Sequence, residues 1–158
     1  MANSDYVVRI VPSLLDRLLD PDPTNPRPAG AHAETLRELR AAVLRDLENL
    51  LNSRNPYGDL PSSFVEAGQS VLTYGLPDLS ALSSRSDERR LRQAIDNAIR
   101  TFEPRLVNVT TSILPVGPSD RSLRVRVDAR LQIDSGAEPV TFDILTGIPT
   151  SYKPKESA

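Results

Sequence analysis

An acidic and a basic side chain flank a proline in Glu103-Pro104-Arg105, the most distinctive chemical grouping in the sequence. Proline restricts its own backbone and that of the residue before it, which favours an extended geometry at Glu103. Side chains two apart on an extended segment project to the same face. A carboxylate and a planar guanidinium presented together suit docking against another protein. They could equally brace a helix against a sheet, and both interpretations stay open.

No comparable grouping of residues in the sequence points to a hydrolytic site. A glycosidase requires two carboxylates about 5–10 Å apart. The chain has 21 acidic residues, and nothing selects a pair from candidates such as Glu66, Glu103, Asp128 and Asp143. Arg105 next to Glu103 favours the ionised carboxylate, which opposes a role as general acid. We therefore expect no enzymatic activity, with a peptidoglycan muramidase as the less favoured alternative.

Metal, cofactor and nucleic-acid sites are not indicated either. The chain has no cysteine and a single histidine, His32, whose position suggests a solvated or capping role. No glycine-rich phosphate loop is present. The net charge is −2, and Asp128 interrupts the basic row of Arg124, Arg126 and Arg130, as expected for a solvated sheet face. We expect no metal, no cofactor and no nucleic acid.

No apolar run is long enough to cross a bilayer, and the first residues lack the basic-then-apolar order of a secretory signal. These features favour a cytoplasmic protein that does not insert directly into a membrane.

Apolar spacing predicts helices in the first two-thirds of the chain. A short helix over 13–20 places Leu14, Leu15 and Leu18 on one stripe and is followed by a connector with prolines at 21, 23, 26 and 28. Longer patterns predict helices over 33–53, from 62 or 63 to 74, and from a cap at Ser86 to 103. Gly75 suits the left-handed position after the third helix.

Beyond Pro104 the apolar residues recur at every second position, which predicts strands over 107–113 and 123–133. A turn at 135–138 then leads to a third predicted strand, which carries Val140, Phe142 and Ile144. The predicted fold class is α+β: N-terminal helices followed by a three-stranded antiparallel β-meander in a single domain. Such a sheet has two exposed edges, and the last strand is our candidate for pairing with a partner. Pro139 and the tail could instead protect it.

Three sequence strings resemble those of one known family. They are Leu14-Leu15-Asp16-Arg17-Leu18, Tyr74-Gly75-Leu76-Pro77-Asp78 and Phe102-Glu103-Pro104-Arg105-Leu106. In this order, and with helices preceding a meander, they resemble the TssE family of type VI secretion baseplate subunits. That family belongs to the baseplate wedge proteins of contractile tails, some of which are called "lysozyme-like".

The resemblance implies a structural subunit at the inner face of the cell envelope that binds other baseplate wedge subunits and contractile sheath proteins. It implicates Glu103, Pro104 and Arg105 in contact with the wedge core. A phage or phage-derived tail protein is the alternative. The chain then divides into a helix and tether over 1–30, a wedge-like domain over 31–148 and a flexible tail over 149–158. Whether the helix over 13–20 packs on its own domain or on a partner stays open.

Overall fold

A computed structural model describes residues 7–9, 33–58, 60–61, 63–78, 85–114, 123–133 and 136–146. The predicted helix over 13–20, the proline-rich connector, His32 and the predicted tail lie outside the described residues. Strand β1 (Val7–Arg9) pairs antiparallel with β2 (Ala33–Thr35), a small sheet that the sequence did not predict.

Helix α1 (Leu36–Asn52) confirms the strongest helical pattern in the sequence. Its buried residues recur every three or four positions, as one face of an amphipathic helix requires: Leu36, Leu39, Val43, Leu47, Leu50 and Leu51. At its end the Asn52 and Ser53 side chains donate to the carbonyls of Glu48 and Asn49, which lie in the last turn.

The predicted third helix is wrong as a continuous element. A single turn, α2 (Val65–Gly68), is followed by a 3-10 turn over Val71–Thr73. Ser70 separates them because its hydroxyl accepts from the Leu72 amide, a local bond that competes with continued helix. The supposed inner face is therefore exposed, by 58% at Phe64 and 86% at Val71.

Helix α3 (Arg85–Phe102) confirms the fourth predicted helix and its stripe, with Leu91, Ile95, Ala98 and Ile99 buried. It begins before Ser86, which is therefore a helical residue and not the predicted cap. It ends ahead of Pro104, as the restriction on the residue before proline requires.

Strands β3 (Leu106–Leu114), β4 (Leu123–Ile133) and β5 (Gly136–Thr146) form an antiparallel sheet in that order. Burial alternates along β4 as predicted. The predicted turn at 135–138 is too long, because β5 already begins at Gly136 and pairs Ala137 with Gln132 and Glu138 with Leu131.

The first half of β3 departs from the predicted alternation. Leu106 and Val109 are buried, whereas Val107 is only partly buried. Asn108 adopts a left-handed φ of 53°, and the register with β4 shifts between Val107 and Thr110. This is a β-bulge, in which one extra residue interrupts the ladder and bends the strand.

Both long helices pack on one face of the three-stranded sheet, α1 against β5 and α3 against β3. One hydrophobic core lies between the two layers and takes the alternate residues of all three strands. The opposite face of the sheet carries mostly polar and charged side chains, together with the exposed Leu145. The α+β class and the helices-then-meander order are thus confirmed.

Candidate functional site

The chain turns from α3 into β3 through a β-turn over 103–106. The Glu103 amide still donates to the Ile99 carbonyl at 2.8 Å, and the Leu106 amide donates to the Glu103 carbonyl at 3.1 Å. Proline is favoured at the second position of such a turn, where Pro104 lies. The triplet is therefore not extended as expected, although the turn does bring its two charged side chains together.

Arg105 and Glu103 form a bidentate ion pair. Its Nε and Nη2 donate to Oε1 and Oε2, each at 2.6 Å. Only 3% of the Glu103 side chain and 20% of the Arg105 side chain are exposed. A guanidinium facing a carboxylate in this paired geometry forms one of the stronger charge-assisted contacts in proteins. The carboxylate of Glu103 thus has its cation within the same chain.

The guanidinium also reaches the first helix. Nη2 of Arg105 donates to Oδ2 of Asp46 on α1 at 2.6 Å, and Arg45 donates to the other carboxylate oxygen, Oδ1, at 2.9 Å. Burial disfavours the charged form of Arg105, but the bonds to Glu103 and Asp46 outweigh it and raise its pKa above the ordinary value. Arg105 is therefore a permanent cation that ties the corner to α1.

The Tyr74-Gly75-Leu76-Pro77-Asp78 string lies against the same corner. Leu76 is fully buried. Its backbone is hydrogen-bonded to the residues that follow α1: its amide donates to the Ser53 carbonyl, and its carbonyl accepts from the Asn55 amide. The Tyr74 ring meets Phe102 edge to face, with centroids 5.2 Å apart. Burial first, then the charges of Asp46 and Glu103, raise the pKa of the Tyr74 phenol.

Gly75 permits this docking. Its φ is +105°, and a Cβ at this position would lie 2.5 Å from the Ser53 carbonyl oxygen. The glycine predicted from its place after a helix is thus required for close backbone approach as well as for its dihedral angle.

Two of the three strings singled out in the sequence thus meet in space, since Tyr74 contacts Phe102 beside the Glu103–Arg105 pair. The leucines at 14, 15 and 18 lie outside the described residues. Sequence reasoning missed Asp46, which is 59 positions from Arg105 and sits among ordinary charges of an amphipathic helix. No local pattern marks it.

The predicted strand residues Val140, Phe142 and Ile144 are buried by 93% or more in the core, so only their strand's backbone can meet a partner. Pro139, which lacks an amide hydrogen, fits β5 only where the backbone points away from β4. Thr141, Asp143 and Leu145 share its parity. Their amides and carbonyls therefore line the outer edge of β5.

The polar sheet face shows paired charges. Arg126 donates to Asp143 through Nε at 2.9 Å, and Asp128 accepts from the Thr141 hydroxyl at 2.7 Å. The bond from Arg126 lowers the pKa of Asp143. Three of the four nominated acidic residues, Glu103, Asp128 and Asp143, are thus engaged by neighbours in structural contacts.

Within the described ranges, no group of three or more histidine or acidic side chains is arranged to hold a metal ion. No helix in those ranges combines the length and apolarity needed to span a membrane.

Comparison with known proteins gives a family match and likenesses to solved structures. Residues 37–135, from the second residue of α1 to just beyond β4, match the model of the baseplate wedge protein gp25 family. A chain of "The baseplate complex from the type VI secretion system" aligns with a TM-score of 0.49 and 14% identity over 70% of this chain and 95% of that one. A crystal structure named a tail lysozyme, from Geobacter sulfurreducens, aligns with a TM-score of 0.44 and 16% identity over 80% and 100%.

None of the curated proteins searched matches the chain. The family match spans well over half of the sequence and includes Asp46, Tyr74 and the whole turn at the corner. The chain belongs to the baseplate wedge protein gp25 family.

Proposed function

We propose that the chain is a structural subunit of a type VI secretion baseplate, located in the cytoplasm at the inner face of the cell envelope. It binds the wedge core through the corner around Pro104 and receives a strand of the contractile sheath at the outer edge of β5. Family membership supports the baseplate role. A phage or phage-derived tail baseplate is the second candidate.

The contrast between the two sheet edges carries the sheath part of the proposal. β5 pairs with β4 in unbroken register over all eleven residues, whereas β3 is interrupted by the bulge at Asn108. Bulges blunt an edge because they bend the strand and displace its ladder groups. A regular edge offers the outward amides and carbonyls of alternate residues to an added strand, at ~0.5–1.5 kcal/mol net for each hydrogen bond.

One substitution tests this edge. Thr141→Pro removes an outward amide without removing a bond to β4, and Thr141→Val is its control because it loses the same hydroxyl but keeps the amide. Both variants lose the bond to Asp128. We expect sheath subunits to co-purify with wild type and Thr141→Val but not with Thr141→Pro, at equal melting temperatures. Unchanged sheath recovery with Thr141→Pro contradicts the proposal.

The corner suits the wedge core because its contact surface is already ordered. Pro104 is exposed at the tip of the turn, while the buried Glu103 and the partly exposed Arg105 fix the turn from below. A surface held rigid before binding loses little conformational entropy when a partner docks. In this arrangement the bracing and docking interpretations of the triplet are two aspects of one site.

Pro104 provides the test because it lies at the surface and outside the ion-pair network. Pro104→Glu places a charged chain at the tip in a position that tolerates most residues, and Pro104→Ala is the matched control. We expect loss of wedge subunits from pull-downs with Pro104→Glu and near-normal recovery with Pro104→Ala. Equal recovery at unchanged fold stability shows that the tip is not a contact.

The leucines at 14, 15 and 18 are proposed as a further partner contact. Deleting residues 1–20 is a poor test because it also removes β1, which pairs with β2. Replacing the three leucines by serine is cleaner. Reduced co-purification at an unchanged melting temperature supports a partner contact, whereas a lowered melting temperature assigns the helix to its own domain.

The role is structural and requires no catalysis. Glu103 is ion-paired with Arg105 and Asp143 with Arg126, so both carboxylates are engaged in structural contacts and neither is free to serve as a general acid. We expect no clearing of a peptidoglycan suspension by the purified protein. Lysis that disappears in Glu103→Gln reinstates the muramidase alternative.

A further inference from the structure

Arg40, on the α1 face that packs against β5, has hydrogen-bonding capacity that the described chain does not use. Its Nη2 donates to the Pro139 carbonyl at 3.4 Å, near the upper limit for a hydrogen bond. Its Nε is buried without a partner among the described residues. The positions three and four away on α1 hold no acid: they are Leu36, Arg37, Val43 and Leu44. Of the five donor hydrogens of a guanidinium, Arg40 thus uses one in a long bond and holds one, on Nε, buried without an acceptor in the described chain.

The carbonyl that Arg40 contacts belongs to the outer edge of β5. Pro139 shares its outward parity with Thr141 and Asp143, so its oxygen is an acceptor that an added strand needs. Arg40 therefore occupies, by a weak contact, the Pro139 acceptor, and the preceding outward carbonyl, that of Ala137, accepts from Arg130 at 2.8 Å. An added strand must displace this contact, and the displaced cation then lies beside the strand at partial burial, where an unmatched charge is unfavourable.

We propose that Arg40 selects the partner strand, which must carry a carboxylate on its α1-facing side next to Pro139. This inference rests on the proposed use of the β5 edge. In the complex, the incoming amide replaces Arg40 on the Pro139 carbonyl, and the guanidinium turns to the incoming aspartate or glutamate. Arg40 thereby covers the Pro139 carbonyl in the free subunit, and a strand of matching charge uncovers it.

The rest of the strand's pattern follows from its neighbours. Side chains facing α1 continue the row formed by Val140, Phe142 and Ile144, alongside the partly buried Leu44. Those positions favour apolar residues, because charged ones would be desolvated there. The partner is therefore an extended segment whose every second residue faces α1. These residues are apolar, except that the one beside Arg40 is acidic.

Capped ten-residue peptides in which valine alternates with threonine provide the probe. Three versions carry glutamate, glutamine or lysine at one terminal valine position, and fluorescence anisotropy measures their binding. We expect wild type to bind the glutamate peptide about tenfold more tightly than the glutamine peptide, as one charge-assisted bond allows. Arg40→Glu should reverse the preference toward lysine. Arg37→Glu, an exposed change on the same helix, should leave it unaltered.

The outcomes distinguish the role of Arg40 from the proposed strand addition at the β5 edge. Equal affinity for the glutamate and glutamine peptides, with binding still abolished by Thr141→Pro, removes the role of Arg40 and leaves the edge intact. Binding that survives Thr141→Pro for every peptide removes the edge as well. A concentration-dependent dimer that Thr141→Pro abolishes assigns the edge to a second copy of the chain and overturns the acidic partner.

Discussion

Nη2 of Arg105 lies 2.6 Å from Oδ2 of Asp46, a contact that joins the turn after α3 to the middle of α1. The same nitrogen donates to Glu103. One side chain thus links both long helices and the start of the sheet.

Replacing Arg105 by alanine should destabilise the fold by about 3–5 kcal/mol, because the buried Glu103 carboxylate has then lost its ion-pair partner. Arg105→Lys keeps the charge but not the paired geometry and should lie between alanine and wild type. Urea unfolding measures these differences. Arg126→Ala, which breaks an exposed pair, is the control and should change stability far less. Similar losses for Arg105→Ala and Arg126→Ala contradict the corner as a stabilising centre.

A second substitution at Glu103 should recover part of that loss. In Arg105→Met the cation is absent, so adding Glu103→Gln removes the stranded charge and should raise the free energy of unfolding relative to the single variant. Measuring Glu103→Gln alone completes a double-mutant cycle, which gives the coupling energy of the pair. A double variant less stable than Arg105→Met shows that Glu103 has another cation.

Tyr74 should ionise above the ordinary phenol pKa of 10.0, because burial, then Asp46 and Glu103, raise it. A group whose pKa rises on folding contributes stability that is complete below the unfolded value and is lost as pH climbs through the folded one. Ultraviolet titration of the phenolate, with Tyr74→Phe identifying the signal, measures this pKa. Asp46→Asn should lower it, and an unchanged value in that variant contradicts the proximity.

Asp143 should titrate below its ordinary pKa of 3.8, chiefly because Arg126 donates to it. The depressed pKa means that the pair's stabilisation is present above the unfolded value and is lost as pH falls through the folded one. Carboxyl NMR titration should show the pKa rising in Arg126→Gln. Added salt should also raise it, since both side chains are exposed.

Gly75→Ala should destabilise the fold more than Gly58→Ala. Both glycines have positive φ, but a Cβ at Gly58 meets nothing within 4 Å, whereas one at Gly75 strikes the Ser53 carbonyl. Gly58→Ala should cost about 1–2 kcal/mol from its dihedral angle alone. Thermal unfolding of both variants compares them, and equal losses show that the backbone of 74–78 can move away from α1.

Periodicity sufficed for most of the architecture because α1, α3 and β4 each bury one regular face. It failed where local backbone geometry interrupts the pattern, through the Ser70 hydrogen bond between the two short turns and through the left-handed φ of Asn108 in β3. The sequence indicated Glu103 and Arg105 because proline places them in a fixed relation. Asp46 escaped notice because its contact is set by packing of distant elements.

The bulge at Asn108 also limits which edges of the sheet can add further strands. A ribbon that is regular on both flanks can recruit copies on either side without limit, which is how fibrils grow. In the described three-stranded sheet only the β3 flank is kinked, so strand addition at β5, as proposed above, would let an array grow from this sheet in one direction.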